Sequence, residues 1–149
     1  MAVLEKYDRQ IEQIQRGLEN EAYKILAELQ KEIVKLNTDK LMQGLTTQGT
    51  KLKPDYRNER YKRAKNRANP LPGFGTPDLK LTGKFHANFY LVAKNKKFEI
   101  LSSDEKTGII SQKYGKDNVF GLTVEDNKIV NYQMLEPRLM KWVLSKIKI

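Results

Sequence analysis

The chain has 149 residues, no cysteine and a formal net charge of +10, with 39% hydrophobic and 31% charged residues, the size of one domain with a sizeable core and too short for two. The absence of cysteine excludes disulfides, thiolate metal sites and thiol nucleophiles, and suits synthesis in a reducing compartment. Met1 to Asp8 has no apolar run of signal-peptide length and no stretch of about 18 apolar residues exists to span a bilayer, so a soluble protein outside the general export route, with no membrane partner, is expected.

Val3, Leu4, Tyr7, Ile11, Ile14, Leu18, Ala22, Ile25, Leu29, Ile33 and Leu36 recur mostly at steps of three and four, which predicts one long amphipathic helix. Glu5 with Arg9, Glu12 with Arg16, Glu28 with Lys31 and Glu32 with Lys35 fall where opposite charges meet on a helix. Gly17 weakens the pattern and Asn37 is a reasonable stop. Such a helix, about 54 Å long at about 1.5 Å per residue, overreaches a domain this small. Its stripe therefore packs on the chain's own core, on a neighbouring subunit, or on both.

Residues 38–53 are rich in Thr, Gln and Gly and read as a flexible or docking loop. Pro54 suits the first position of a short helix running to about Ala68, ended by Asn69 and Pro70. Residues 69–78 carry Pro70, Pro72, Gly73, Gly75 and Pro77 and form a second loop, of restricted shape. Between the loops, residues 51–67 hold eight basic groups against two acidic ones, net +6, more than half of the chain's excess. The candidate DNA or partner contacts are thus Lys51, Lys53, Arg57, Arg60, Lys62, Arg63, Lys65 and Arg67, interleaved with Tyr56 and Tyr61. They are spread over several helix faces. A solvated helix, one paired with an acidic protein, and one touching nucleic acid nonspecifically are all compatible with this pattern.

Beyond Leu79 the period becomes two: Phe85, Ala87, Phe89 and Leu91 alternate with His86, Asn88, Tyr90 and Val92, and Lys97 to Leu101 returns after a Lys94-Asn95-Lys96 turn, predicting an antiparallel hairpin. Ser102 or Ser103 is expected to cap a short helix running through Glu105 to about Tyr114, with Gly115 as its terminator. Asn118 to Leu122 reads as a turn or strand. Thr123 with Asp126 resembles a cap for a C-terminal helix carrying Ile129, Val130, Leu135, Leu139, Val143 and Ile147, which Pro137 should break or kink. With no repeat and no βαβ rhythm, the fold class is α+β, one domain over residues 1–149.

Catalytic chemistry finds little to work with. His86 is the one histidine, so neither a metal cluster nor a triad assembles around it. Asp104-Glu105 and Glu125-Asp126 lie at helix starts, where the helix dipole favours them. Gly73-Phe74-Gly75-Thr76-Pro77 lacks the Gly-Lys-Ser/Thr ending of a phosphate cradle. No catalytic residue, cofactor or metal is predicted, and the chain reads as a binding or assembly protein.

Two short motifs add to this reading. Asp78-Leu79-Lys80-Leu81-Thr82-Gly83 precedes Phe85 to Val92, and Val119-Phe120-Gly121-Leu122-Thr123 precedes the closing helix. From Pro77 onward, about half of its length, the chain resembles the tail-completion and virion-morphogenesis proteins of tailed bacteriophages, small neck or tail-end subunits that assemble as rings. Where that family often carries an aromatic-Ala segment near a His or Gly, this chain has Asp104 to Gly115. The resemblance implies a structural virion subunit, made in the host cytoplasm and acting as a ring-forming neck, head-tail connector or tail-completion protein. It implies copies of itself and portal, neck or tail proteins as partners, contact with packaged DNA through the basic segment, and loops that order on docking. The alternative is a nonspecific nucleic-acid-binding module using residues 51–67.

Overall fold

The computed structural model describes residues 2–147, so Met1 lies outside it. The architecture is α+β: a long leading helix, short helices, one two-stranded antiparallel sheet and a closing helix.

Helix α1 (Ala2–Glu28) is followed at once by α2 (Gln30–Met42). The predicted single helix is therefore divided at Leu29, whose backbone (φ −90°, ψ 3°) leaves helical geometry for one residue. Leu29 N–H still donates to Ile25 O and Ile33 N–H to Leu29 O, so this is a bend within one apolar stripe. Asn37 does not end the helix. It is fully buried and its side-chain oxygen accepts from Gly121 N–H at 3.1 Å, while the buried Leu41 carries the stripe one turn further than expected.

The loop predicted for residues 38–53 accordingly begins only after Met42, and it carries internal hydrogen bonds. Thr46 N–H donates to Thr50 O at 2.7 Å, Leu45 and Lys51 form a β-bridge, and Leu52 is fully buried. Gly44 (φ +70°) lets this loop meet the next one, since a Cβ there would lie 2.7 Å from Pro72 Cβ and from Thr76 Cγ2. Pro54 follows a cis peptide bond and does not start the basic helix. That helix, α3 (Glu59–Ala68), is initiated by Asn58, whose side chain accepts from Tyr61 N–H at 2.9 Å, the N-cap role for which Asn is among the best residues.

The predicted strand from Phe85 is also corrected: Lys84–Ala87 form one helical turn, α4, and the strand begins at Phe89. Phe85, His86 and Phe89 are all buried, the spacing of a helical turn on a core rather than of an alternating strand. Strand β1 (Phe89–Lys94) pairs with β2 (Lys97–Ser102) from Phe89↔Ser102 to Lys94↔Lys97. Asn95 and Lys96 both have positive φ, 53° and 62°, the two-residue turn that matches strand twist.

Helix α5 (Thr107–Tyr114) starts later than expected: Ser102 Oγ accepts from Asp104 N–H at 3.2 Å and Asp104 in turn accepts from Lys106 N–H at 2.9 Å, two successive turns ahead of the helix. Gly115 ends it as predicted. The segment expected as a turn or strand contains a short helix, α6 (Lys116–Val119), before Phe120 extends. Thr123 caps α7 (Val124–Lys128) by accepting from Asp126 N–H at 3.1 Å, as expected.

Pro137 does not break the closing helix. The chain stays helical through a π-helical stretch, Ile129–Leu135, into α8 (Glu136–Lys146). Glu136 N–H reaches back five residues to Asn131 O, so the wider turn accommodates the ring and the missing donor of the proline.

The core forms around the second half of the stripe. Ile25, Leu29, Ile33 and Leu41 meet Ile100, Val119, Leu122 and Val130, and Phe85, Phe89 and Phe120 pack with centroids 5.0 to 5.9 Å apart. Arg138 pairs with Glu28 at 3.8 Å and Trp142 covers Gly17, so α8 runs antiparallel along α1. A Cβ on Gly17 would lie 3.0 Å from the indole, which gives that helix-weakening residue a packing role.

Candidate functional site

The eight basic residues of 51–67 are sorted by the fold into two groups. Lys65 turns inward: its Nζ lies 2.7 Å from Asp78 Oδ1 and donates to Lys80 O at 2.6 Å. Asp78, 2% exposed, also accepts from Asn69 Nδ2 and Lys80 N–H. Burial pushes the Asp78 carboxyl up, but Lys65, Asn69 and the Lys80 amide together hold it below the ordinary carboxylate value. Lys62 also folds back, with Nζ 3.1 Å from Glu59 Oε1 and its ammonium over the Phe74 ring at 5.9 Å. Lys53 pairs with Asp55 at 3.0 Å, and Lys51 makes a long 3.4 Å bond to Gln43 O.

Arg57, Arg60, Arg63 and Arg67 are exposed and, among the described residues, pair with no carboxylate. Arg60, Arg63 and Arg67 stand at i, i+3 and i+7, within about 60° of one another on α3 in a row about 10 Å long. The charges thus occupy opposite faces of α3, in keeping with the spread over several faces read from the sequence: Lys62 and Lys65 turn inward, and Arg60, Arg63 and Arg67 share the outer face. Tyr56 meets Tyr61 edge to face, 4.8 Å between centroids. Burial and the neighbouring Asp78 raise the Tyr56 hydroxyl pKa. With Arg57 and Lys113 the two tyrosines line a shallow groove of about 470 Å³.

A second surface lies on α1. The stripe that buries Ile25 (3% exposed) and Ile33 (0%) leaves Val3 66% and Ile11 52% exposed on the same side of the helix. Leu4 and Leu18, and Met140 and Leu144 of α8, are also exposed, so the paired helices form an arm with an uncovered apolar face. A groove of about 850 Å³ opens beside Leu18, between α1, the hairpin and the closing helices, with Leu26, Phe98, Leu101, Leu135 and Leu139 in its lining.

His86 is structural in its surroundings: it is buried, Nε2 bonds Asp78 O at 3.0 Å, and its ring stacks on Phe89. Burial lowers its pKa, against a smaller upward pull from Asp78. Sequence reasoning missed Lys40, which is 3% exposed and donates to both Asn118 O and Val119 O at 3.0 Å. Burial lowers its pKa to about 8, partly opposed by Asp126. The signal was present: with Asn37, Lys40 continues the stripe of Ile33 one and two turns on, where a polar side chain must find internal partners. Lys40 also lines a cleft of about 560 Å³ with Asp39, Glu125 and Asp126.

Among the described residues no three His, Asp or Glu side chains are grouped to hold a metal ion, and no helix is long and apolar enough to cross a membrane. The chain matches no protein-family model, no curated protein and no solved structure.

Proposed function

We propose that the chain is a structural subunit of a tailed-phage virion that builds a ring from copies of itself at the neck or tail end, meeting portal, neck or tail proteins at the ring's faces. The observation that carries this reading is the half-covered stripe of α1. One apolar stripe is buried from Ile25 onward, while nearer the N-terminus Tyr7 and Ile14 are half-buried and Val3, Leu4, Ile11 and Leu18 are exposed, and fully burying a Val, Leu or Ile is worth roughly 1.5–3 kcal/mol. Several such residues along about 25 Å of helix are sufficient to drive association.

A second copy is the occupant that fits. The exposed tip of the arm at Val3, Leu4 and Ile11 lies beyond the groove that Leu18 borders, and seating one copy's tip in the next copy's groove is a head-to-tail contact, the kind that closes rings. The motifs at Asp78 to Gly83 and Val119 to Thr123 support the phage assignment by resemblance. In this reading the protein performs no catalytic step. Light scattering coupled to size exclusion should find a closed oligomer, and imaging should place it at the neck or tail end of particles. A chain that stays monomeric at every concentration and is absent from particles overturns the reading.

A further inference from the structure

We propose that the outer face of α3, carried by Arg57, Arg60, Arg63 and Arg67, binds the phosphates of duplex DNA without reading its sequence. The charges of this region are partitioned between lysines and arginines. Each nearby carboxylate takes a lysine: Asp55 takes Lys53, Glu59 takes Lys62 and Asp78 takes Lys65. The four arginines are left with no internal counter-charge among the described residues, although arginine is the side chain best suited to carboxylates. Elsewhere Arg16 meets Glu12 and Arg138 meets Glu28, and Arg9 stands alone without a carboxylate partner among the described residues, so what marks the α3 region is that several unpaired arginines stand together.

The geometry suits a phosphate backbone. Three guanidinium groups in a row about 10 Å long, extended by Arg57 just ahead of the helix, meet a duplex that carries one negative charge per about 1.7 Å of its axis. The forked donors of arginine engage phosphate oxygens in pairs. The row carries no Asn or Gln to pair with adenine, and the role assigned to its arginines is phosphate contact, which carries no sequence information. The Lys65–Asp78 pair and the packing of Lys62 over Phe74 serve this function by holding the helix so that the arginine face points outward.

This proposal is independent of the ring. The arginines lie on α3 or just ahead of it and the assembly surface on α1 and α8, so each can fail alone. The test is fluorescence anisotropy of the full chain with a labelled mixed-sequence duplex of about 20 base pairs. Four phosphate contacts predict a log–log salt slope of about −3.6, hence a loss of roughly a hundredfold in affinity between 50 and 200 mM salt. The variant with Arg57, Arg60, Arg63 and Arg67→Gln should bind at least tenfold more weakly with a flattened slope. Its circular dichroism should be unchanged, because these side chains hold nothing else in place. An equal-charge control with Lys84, Lys94, Lys96 and Lys97→Gln should bind like the parent chain. Absence of salt-sensitive binding, equal weakening in both variants, or tighter binding to poly-glutamate than to the duplex would each overturn the proposal, the last by assigning the face to an acidic protein.

Discussion

Lys65 Nζ stands 2.7 Å from Asp78 Oδ1, with the two side chains only 17% and 3% exposed, so a helix whose surface is strongly basic is fastened by a nearly dry ion pair. The pair joins the middle of α3 to the end of the proline-rich segment 69–78. Asn69 completes it by bridging Asp78 to Met42 O. Three segments far apart in sequence are thereby locked together.

Removing one partner of such a pair should be costly, because the other charge stays buried without compensation. Asp78→Ala is expected to lower unfolding free energy by about 3–5 kcal/mol, and Lys65→Met by a similar amount. The double variant should be less unstable than the sum of the two. Urea denaturation of the four species in a double-mutant cycle checks this, and strict additivity would show that the pair does not act as a unit.

Acid should weaken the fold in two stages. His86 has a folded pKa below its ordinary 6.5, so the unfolded chain binds the extra proton first and stability falls as pH drops below about 6.5, levelling off below the folded value. Asp78 has a folded pKa below its ordinary 3.8. Its contribution is therefore whole above that value and is lost as pH falls through the folded one. His86→Gln, which keeps a donor for Asp78 O, should flatten the profile between pH 7 and pH 5 and leave the more acidic loss in place. Denaturation midpoints across that range are the measurement.

Lys40 predicts the opposite limb. Its pKa falls from 10.5 to about 8 on folding, so between those values the unfolded state holds the extra proton and stability rises with pH. Lys40→Met keeps the side-chain length and removes the titration, so the alkaline rise should vanish. At pH 7 the variant loses two bonds to the Asn118 and Val119 carbonyls but no longer keeps an ammonium out of water. These effects oppose each other, so its stability should stay within about 2 kcal/mol of the parent.

The regular parts of this fold were legible where local chemistry acts alone: the stripe of α1, the Lys97 strand, Gly115 and the Thr123 cap all lie where the pattern puts them. The misreadings share one cause, tertiary partners invisible in a local window. Asn37 looks like a stop until Gly121 supplies a donor for it. Phe85 and His86 look like strand residues until the Phe89 and Phe120 rings make a helical turn the better way to bury them. The basic segment was found from composition, but its division into inward lysines and outward arginines depends on Asp78, eleven residues beyond Arg67, and was not readable from charge counts.

The uncovered half of the α1 stripe separates folding from assembly most directly. Ile11 and Ile33 lie on one helical stripe, yet Ile11 is 52% exposed and Ile33 is fully buried. Ile33→Ala should cost about 2–5 kcal/mol of stability through the cavity it leaves. Ile11→Glu should leave monomer stability within about 0.5 kcal/mol, as surface substitutions do. In an oligomer joined through the arm, the same Ile11→Glu puts a carboxylate into a closed apolar contact and should split the assembly into monomers. Light scattering reads the second effect and urea denaturation the first. An Ile11→Glu chain that keeps the parent's oligomeric state would remove the arm from the interface, leaving its exposed stripe without an assembly role.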